Sequence, residues 1–254
     1  MRGDAGYPLR IRFAKRGPVR FISHRDVARA FERAFRVAEL PVAFTLGFSP
    51  RPKVSFGPAL AVGYESDAEY LDVECVHEVD ADHVAAGVNG ALPAGMAVSG
   101  IGALADRAPA LQEVITSLAY RVTLEPVADG VPSAAVAAFL ACDELPIEVT
   151  RKGERSVEDI RPAVLSLAVE PLAVVAGDAP TLELEVATRP RTLRVADVVA
   201  GLRTMHEDAA TLVEHRVVRT HQWIERGGAR REPLDVDRRS PAPDGAARAL
   251  EACA

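Results

Sequence analysis

The chain has 254 residues, of which 48% are apolar and 5% aromatic, and a formal net charge of −6. It is long enough for one large or two ordinary domains with a core of mostly Ala, Val and Leu, and its acidic balance excludes a protein that coats nucleic acid over its whole surface. Charged residues break every apolar stretch short of the ~20 residues a membrane span needs, and MRGDAGYPLR lacks the apolar core of a secretory signal, so a cytoplasmic protein with no membrane partner is expected.

Along the chain, Leu9-Arg10-Ile11-Arg12-Phe13 alternates apolar and basic residues, as a half-buried strand does. Gly17-Pro18 marks a turn. Ser23 with Asp26 three residues on forms a capping-box start, and Val27, Ala30, Phe31, Ala34, Phe35 and Ala38 then share one face of a helix. Pro41 stops that helix. Val42 to Leu46 is read as a short strand, Gly47 to Pro52 as a proline-stiffened loop leading to Val54-Ser55-Phe56, and Glu69 to Val76 as an alternating strand. In that strand Cys75 follows Leu71 and Val73, as a small core residue would. Asp80 to Leu92 reads as a helix and Met96 to Leu104 as a strand, completing the β-α-β-β-α-β order of a ferredoxin-like unit over residues 1–106.

Residues 107–116, with Pro109, are expected to link this unit to a second one over 117–228. There Tyr120, Val122 and Leu124 mark a strand, and Ser133 to Cys142 an Ala-rich helix. Ile147-Glu148-Val149 and Val164 to Val169 are expected to pair as a hairpin around a charged segment. Leu182, Leu184 and Val186 alternate as a strand; Val195, Val198, Val199, Leu202 and Met205 form a helical stripe; Val217 to Glu225 is a last strand. The fold class is therefore α+β, two tandem ferredoxin-like domains with the second degenerate. From 229 to 254 an Arg-, Gly- and Pro-rich tail is expected to be mostly disordered.

Cys75, Cys142 and Cys253 are too few and too scattered for a metal cluster or a disulfide framework. With no Walker A sequence and no G-x-G-x-x-G after a strand, neither a metal nor a cofactor is expected. The charge, however, is unevenly placed. Through residue 57 there are twelve cations against four anions, about +8, which leaves about −14 for the rest. Arg25, Arg29, Arg33 and Arg36 recur at spacings that put them on one stripe of the first helix. Such a stripe is either a solvated face relieved by Asp26, Glu32 or Asp72, or a phosphate-tracking surface, since arginine forks match phosphate oxygens. Arg20, Phe48, Arg51 and Lys53 extend the basic and aromatic surface, although Phe48 and Phe56 can also be read as core anchors. His24 stands at the helix start, where the helix dipole and the neighbouring arginines disfavour a charge on its ring. It is the one candidate for a catalytic base or ligand. Arg10 and Arg12 on the first strand, and Tyr70, Asp72 and Glu74 on its predicted neighbour, are read as the exposed positions of the two central strands, a set suited to cross-strand ion pairs rather than to the base-stacking aromatics of an RNA-recognition sheet.

The strings RIRFAKRGPVRFISHRDVARAFERAF and GFSPRPKVSFGPALAVGYESDAEYLDVE resemble the radical-SAM-linked protein family, most densely over residues 9–76. The resemblance implies a domain fused to, or encoded beside, a radical SAM protein with a cobalamin-binding-like domain, and gene neighbours that include ribonuclease E/G and ribosomal proteins. It carries over no established catalytic residue. Members carry an N-P-H-P pattern in the proline-rich loop, where this chain has Ser49-Pro50-Arg51-Pro52; the helix-start histidine is kept as His24. The expected function is an accessory domain of a radical SAM system, non-enzymatic, that binds tRNA or rRNA or docks its radical SAM partner. The alternative is a metal-independent RNA endonuclease resembling CRISPR-associated RAMP proteins, with His24 as its catalyst.

Overall fold

The computed structural model describes residues 6–105, 108–151, 153–170 and 179–239. Along the chain run β1 (Tyr7–Lys15), α1 (His24–Val37), β2 (Val54–Phe56), β3 (Glu65–Cys75), α2 (Ala81–Ala91), β4 (Met96–Ala103), α3 (Leu111–Val114) and β5 (Ser117–Leu124). There follow α4 (Val131–Ala141), β6 (Pro146–Arg151), β7 (Glu154–Asp159), β8 (Val164–Val169), β9 (Thr181–Ala187), α5 (Val195–Arg203), β10 (Glu214–Arg226) and β11 (Ala229–Arg231). The protein is thus a mixed α+β structure around one large, mostly antiparallel sheet, with strand order β4-β1-β3-β10-β5-β9-β8; β2 also pairs with β3, and β11 with β10. The alternation of Leu9, Ile11 and Phe13 with charged residues is what makes β1 a half-buried strand, and it pairs antiparallel with β3 and β4 on either side. The same order, fourth strand beside first, first beside third, third beside second, recurs in β10, β5, β9 and β8.

Two apolar clusters fill the molecule. One gathers Ile11, Phe13, Phe31 and Phe35 with Leu71 and Val73 of β3; the other gathers Leu118, Phe139, Leu184 and Leu202 with Ala68 and Tyr70 of the same strand. Because side chains alternate along a strand, β3 serves both cores at once. Cys75 is fully buried in the first, and burial pushes its thiol up to about 11.

Five expectations change. Ile147 to Val149 pairs not with Val164 to Val169 but with β7 in a separate two-stranded hairpin, turned at Gly153 with φ +88°, while β8 joins β9. The charged segment forms a strand of its own because a left-handed glycine can close the turn. Val42 to Leu46 is not a strand: only isolated bridges, Val42 to Cys75 and Phe44 to Pro52, form there. The segment expected to be a linker is a core element, since Leu111 and Ile115 are buried; residues 106–107 lie outside the described residues. The expected disorder does not hold over 229–239, where β11 pairs with β10 and Pro233 and Val236 are buried. The rest of that tail, with Cys253, lies outside the described residues. Finally, Arg10 is not on an open face. It is fully buried, forks onto Asp72 at 2.7 and 2.8 Å, and donates Nη1 to the Pro233 carbonyl at 3.1 Å.

The two halves of the sheet meet where β10 runs parallel to β3, Val218 opposite Glu65 and Arg219 opposite Ser66. Arg219 is buried there and fully bonded. Its guanidinium donates to Glu69 at 2.8 Å, to the Pro58 and Ala59 carbonyls at 2.8 and 3.0 Å, and to the Tyr120 hydroxyl at 3.0 Å. Glu65, also buried, accepts from the Gly17 N–H at 2.7 Å and from Arg216 at 2.7 Å, with Arg20 at 3.5 Å. Burial opposes its ionisation, yet these donors outweigh burial and hold its carboxyl below the ordinary range.

Breaking a buried pair leaves an uncompensated charge. Arg219→Met should therefore lower the unfolding free energy in urea by about 3–5 kcal/mol at neutral pH; a loss of under ~1 kcal/mol would show that the junction does not rest on this pair. Glu65 adds a pH signature. A depressed carboxyl contributes stability above its unfolded value and loses it as pH falls through the folded one. The stability gap between wild type and Glu65→Gln should be full at pH 7 and shrink progressively below the ordinary carboxyl value of 4.5; a gap constant with pH would count against this.

Candidate functional site

Helix α1 begins as the sequence implies. Ser23 Oγ accepts from the Asp26 N–H at 3.3 Å, and the Asp26 carboxylate accepts from the Ser23 N–H at 3.3 Å and from its hydroxyl at 2.6 Å. Those bonds hold the Asp26 carboxyl below its usual range. The helix buries Val27, Phe31, Ala34 and Phe35, with Phe31 edge-on to Phe13 at 4.6 Å between ring centres. That anchoring turns the opposite stripe outward. Arg25, Arg29, Arg33 and Arg36 are all exposed.

Of the three carboxylates that could relieve the stripe, Asp26 pairs among its arginines only with Arg29, at 3.4 Å, Asp72 is held by Arg10, and Glu32 joins no ion pair with a described residue. Among the described residues no ion pair joins Arg25, Arg33 or Arg36 to a carboxylate. Two other sequence-predicted cations are committed elsewhere. Arg20 reaches Glu65 and stacks over Phe21 at 4.7 Å, and Lys53 pairs with Glu74 at 2.8 Å.

The loop after Pro41 is a short irregular hairpin. The Thr45 N–H donates to the Arg51 carbonyl at 2.9 Å, the Lys53 N–H to the Ala43 carbonyl at 2.8 Å, and the Ala43 N–H to Glu74 of β3 at 2.7 Å. Thr45 Oγ1 accepts the Arg51 N–H at 3.0 Å. Gly47, at φ +133°, lets the tip reverse. The two phenylalanines of this region part ways. Phe56 packs half-buried against His24 and Phe31, at 5.0 and 6.3 Å, as a core anchor does. Phe48 stands fully exposed at 110%, with Leu46 at 102% and Phe44 at 54%. Phe44 and Pro52 face Phe35, Arg36, Glu32 and Glu39 of the α1 region across a groove of about 450 Å³. The hairpin therefore adjoins the C-terminal end of the helix stripe, at Arg36. Sequence reasoning missed Phe44 and Leu46, although apolar side chains flanking Gly47 in a turn-rich stretch were a readable signal.

His24 is exposed at the other end of α1, beside a cleft of only about 20 Å³ shared with Lys15, Phe56 and Glu69. That is room for about one water molecule. Lys15 is buried, and its ammonium donates to the Arg20 and Ile22 carbonyls at 3.2 Å each. Burial lowers the pKa of this amine, with Glu69 opposing. Two carbonyls absorb its protons, so it fastens the turn before α1. Among the described residues no group of three or more His, Cys, Asp or Glu side chains is placed to hold a metal ion. No described helix is long and apolar enough to cross a membrane.

A sequence-family model described as "Uncharacterized protein conserved in bacteria (DUF2344)" matches residues 8–196; its description names no radical SAM association. No curated protein matches. Among solved structures, the chain is similar to one titled "Crystal Structure of an Unknown Protein from Galdieria sulphuraria", at 13% identity over 82% of this chain and 98% of that one, with a TM-score of 0.26.

Ser23→Ala removes the acceptor that fixes the start of α1 and should cost about 1 kcal/mol of stability in urea denaturation. Full stability in that variant would mean the cap does not set the geometry of the stripe.

Proposed function

The chain belongs to the bacterial DUF2344 family, and we propose that it is a recognition module that binds RNA through the α1 stripe and the adjoining hairpin. One observation carries this reading: Arg25, Arg33 and Arg36 stand exposed with no ion pair to a described carboxylate, beside a hairpin whose apolar tip is also uncovered. Buried or paired arginines explain themselves through the fold, as Arg10 and Arg219 do. An exposed row of uncompensated arginines is disfavoured by self-repulsion, and it matches a polyanion whose counterions it would displace. The earlier resemblance to radical-SAM-linked proteins supports a role as the non-catalytic substrate-recognition partner of a radical SAM enzyme, with tRNA or rRNA as the class of ligand.

The connectivity supports the finer fold assignment as well. Each half runs β-α-β-β-α-β with its fourth strand beside its first, and the second half carries the β6–β7 hairpin as an insertion, which fits two tandem ferredoxin-like units with the second degenerate.

Binding of bulk tRNA measured across a salt series tests the function. Wild type should show a steep fall of log affinity with log salt, and Arg25→Ala, Arg33→Ala and Arg36→Ala combined should flatten the slope by about 2. An unchanged slope, or no binding by the wild type, would remove this assignment.

A further inference from the structure

We propose that the RNA bound at this surface is single-stranded, with an unpaired base stacked at Phe44 and Phe48 while the α1 arginines hold the backbone; the inference rests on the RNA-binding reading above. Phe48 is not merely exposed but held out. The rungs from Thr45 to Arg51 and from Lys53 to Ala43, and the tie from Ala43 to β3, order the hairpin beneath it, and Pro50 and Pro52 stiffen its returning arm. An aromatic ring presented on an ordered backbone loses little freedom when a base stacks on it.

The charges around the groove divide the labour between base and phosphate. Glu32 and Glu39 line it together with Arg36, Phe44 and Pro52. Carboxylates repel phosphate but accept hydrogen bonds from the exocyclic amine of a base such as cytosine. The groove therefore suits a base, and the stripe of Arg25, Arg29 and Arg33 along the same helix suits the backbone. A duplex cannot make this arrangement. Its bases are stacked inside, and the deep, narrow major groove of an A-form helix does not admit side chains.

Fluorescence anisotropy with two labelled probes decides the matter: an unstructured oligocytidylate RNA of about 12 nucleotides and a duplex RNA of the same length. The single strand should bind at least roughly 10-fold more tightly than the duplex. Phe44→Ala combined with Phe48→Ala should weaken single-strand binding roughly 10-fold or more while leaving its salt slope and the duplex affinity unchanged. Both rings are exposed, so the unfolding midpoint of that variant should match wild type, which separates lost stacking from lost folding. Equal affinity for the two probes, or full single-strand affinity without the two rings, would overturn the inference and leave the RNA-binding reading standing. If neither probe nor tRNA binds, both fall.

Discussion

The pair of Arg219 and Glu69, buried where β10 meets β3, is the constraint around which the molecule is arranged. The parallel contact between those strands spans only two residue pairs, too short a ladder to join two half-sheets by itself. Together with the buried Gln222 amide, which donates to the Ala68 carbonyl at 2.6 Å, the guanidinium reinforces the ladder. It reaches back into the first half through Glu69 and the Pro58 and Ala59 carbonyls, and into the second through the Tyr120 hydroxyl. A charge in so dry a place is tolerable only when all its donors are used. Glu65 repeats the device a few residues away, with Arg20 and Gly17 from one half and Arg216 from the other.

This sorting of arginines connects the fold to the candidate function. Arg10, Arg219 and Arg216 are spent inside or across the junction, Arg20 is spent at its margin, and Lys53 is spent on Glu74 near the far end of β3. Of the described cations in the first 57 residues, Arg25, Arg33, Arg36 and Arg51 are exposed and join no ion pair with a described residue. The internal pairs keep β1 and β3 fixed, the buried face of α1 packs on those strands, and so the outer stripe is held on a stiff support. A recognition surface gains from such stiffness, because less freedom is lost on binding.

Much of α1 could be read in the sequence. Ser23 and Asp26 marked its start, Pro41 its limit, and the spacing of Val27, Phe31, Ala34 and Phe35 its buried face, because these are local rules acting within a turn or two of helix. The errors fell where partners come from far along the chain. Arg10 looked solvent-facing because Pro233, which covers it, lies 223 residues away. Ile147 to Val149 was matched to the wrong strand because apolar alternation fits several partners equally, and a glycine turn chose between them.

By itself the sequence determined the capped basic helix, the proline-stiffened loop and the concentration of cations in the first 57 residues, since composition, periodicity and turn chemistry are local. Only the tertiary structure decided which cations are free. Arg29, Arg33 and Arg219 are indistinguishable as letters, and their fates depend on burial and on which carboxylate the fold brings within reach. The same holds for Phe48, at the hairpin tip, and Phe56, eight positions on in β2. Packing against α1 takes the second into the core and leaves the first in solvent, because only one of them has a helix face to cover it.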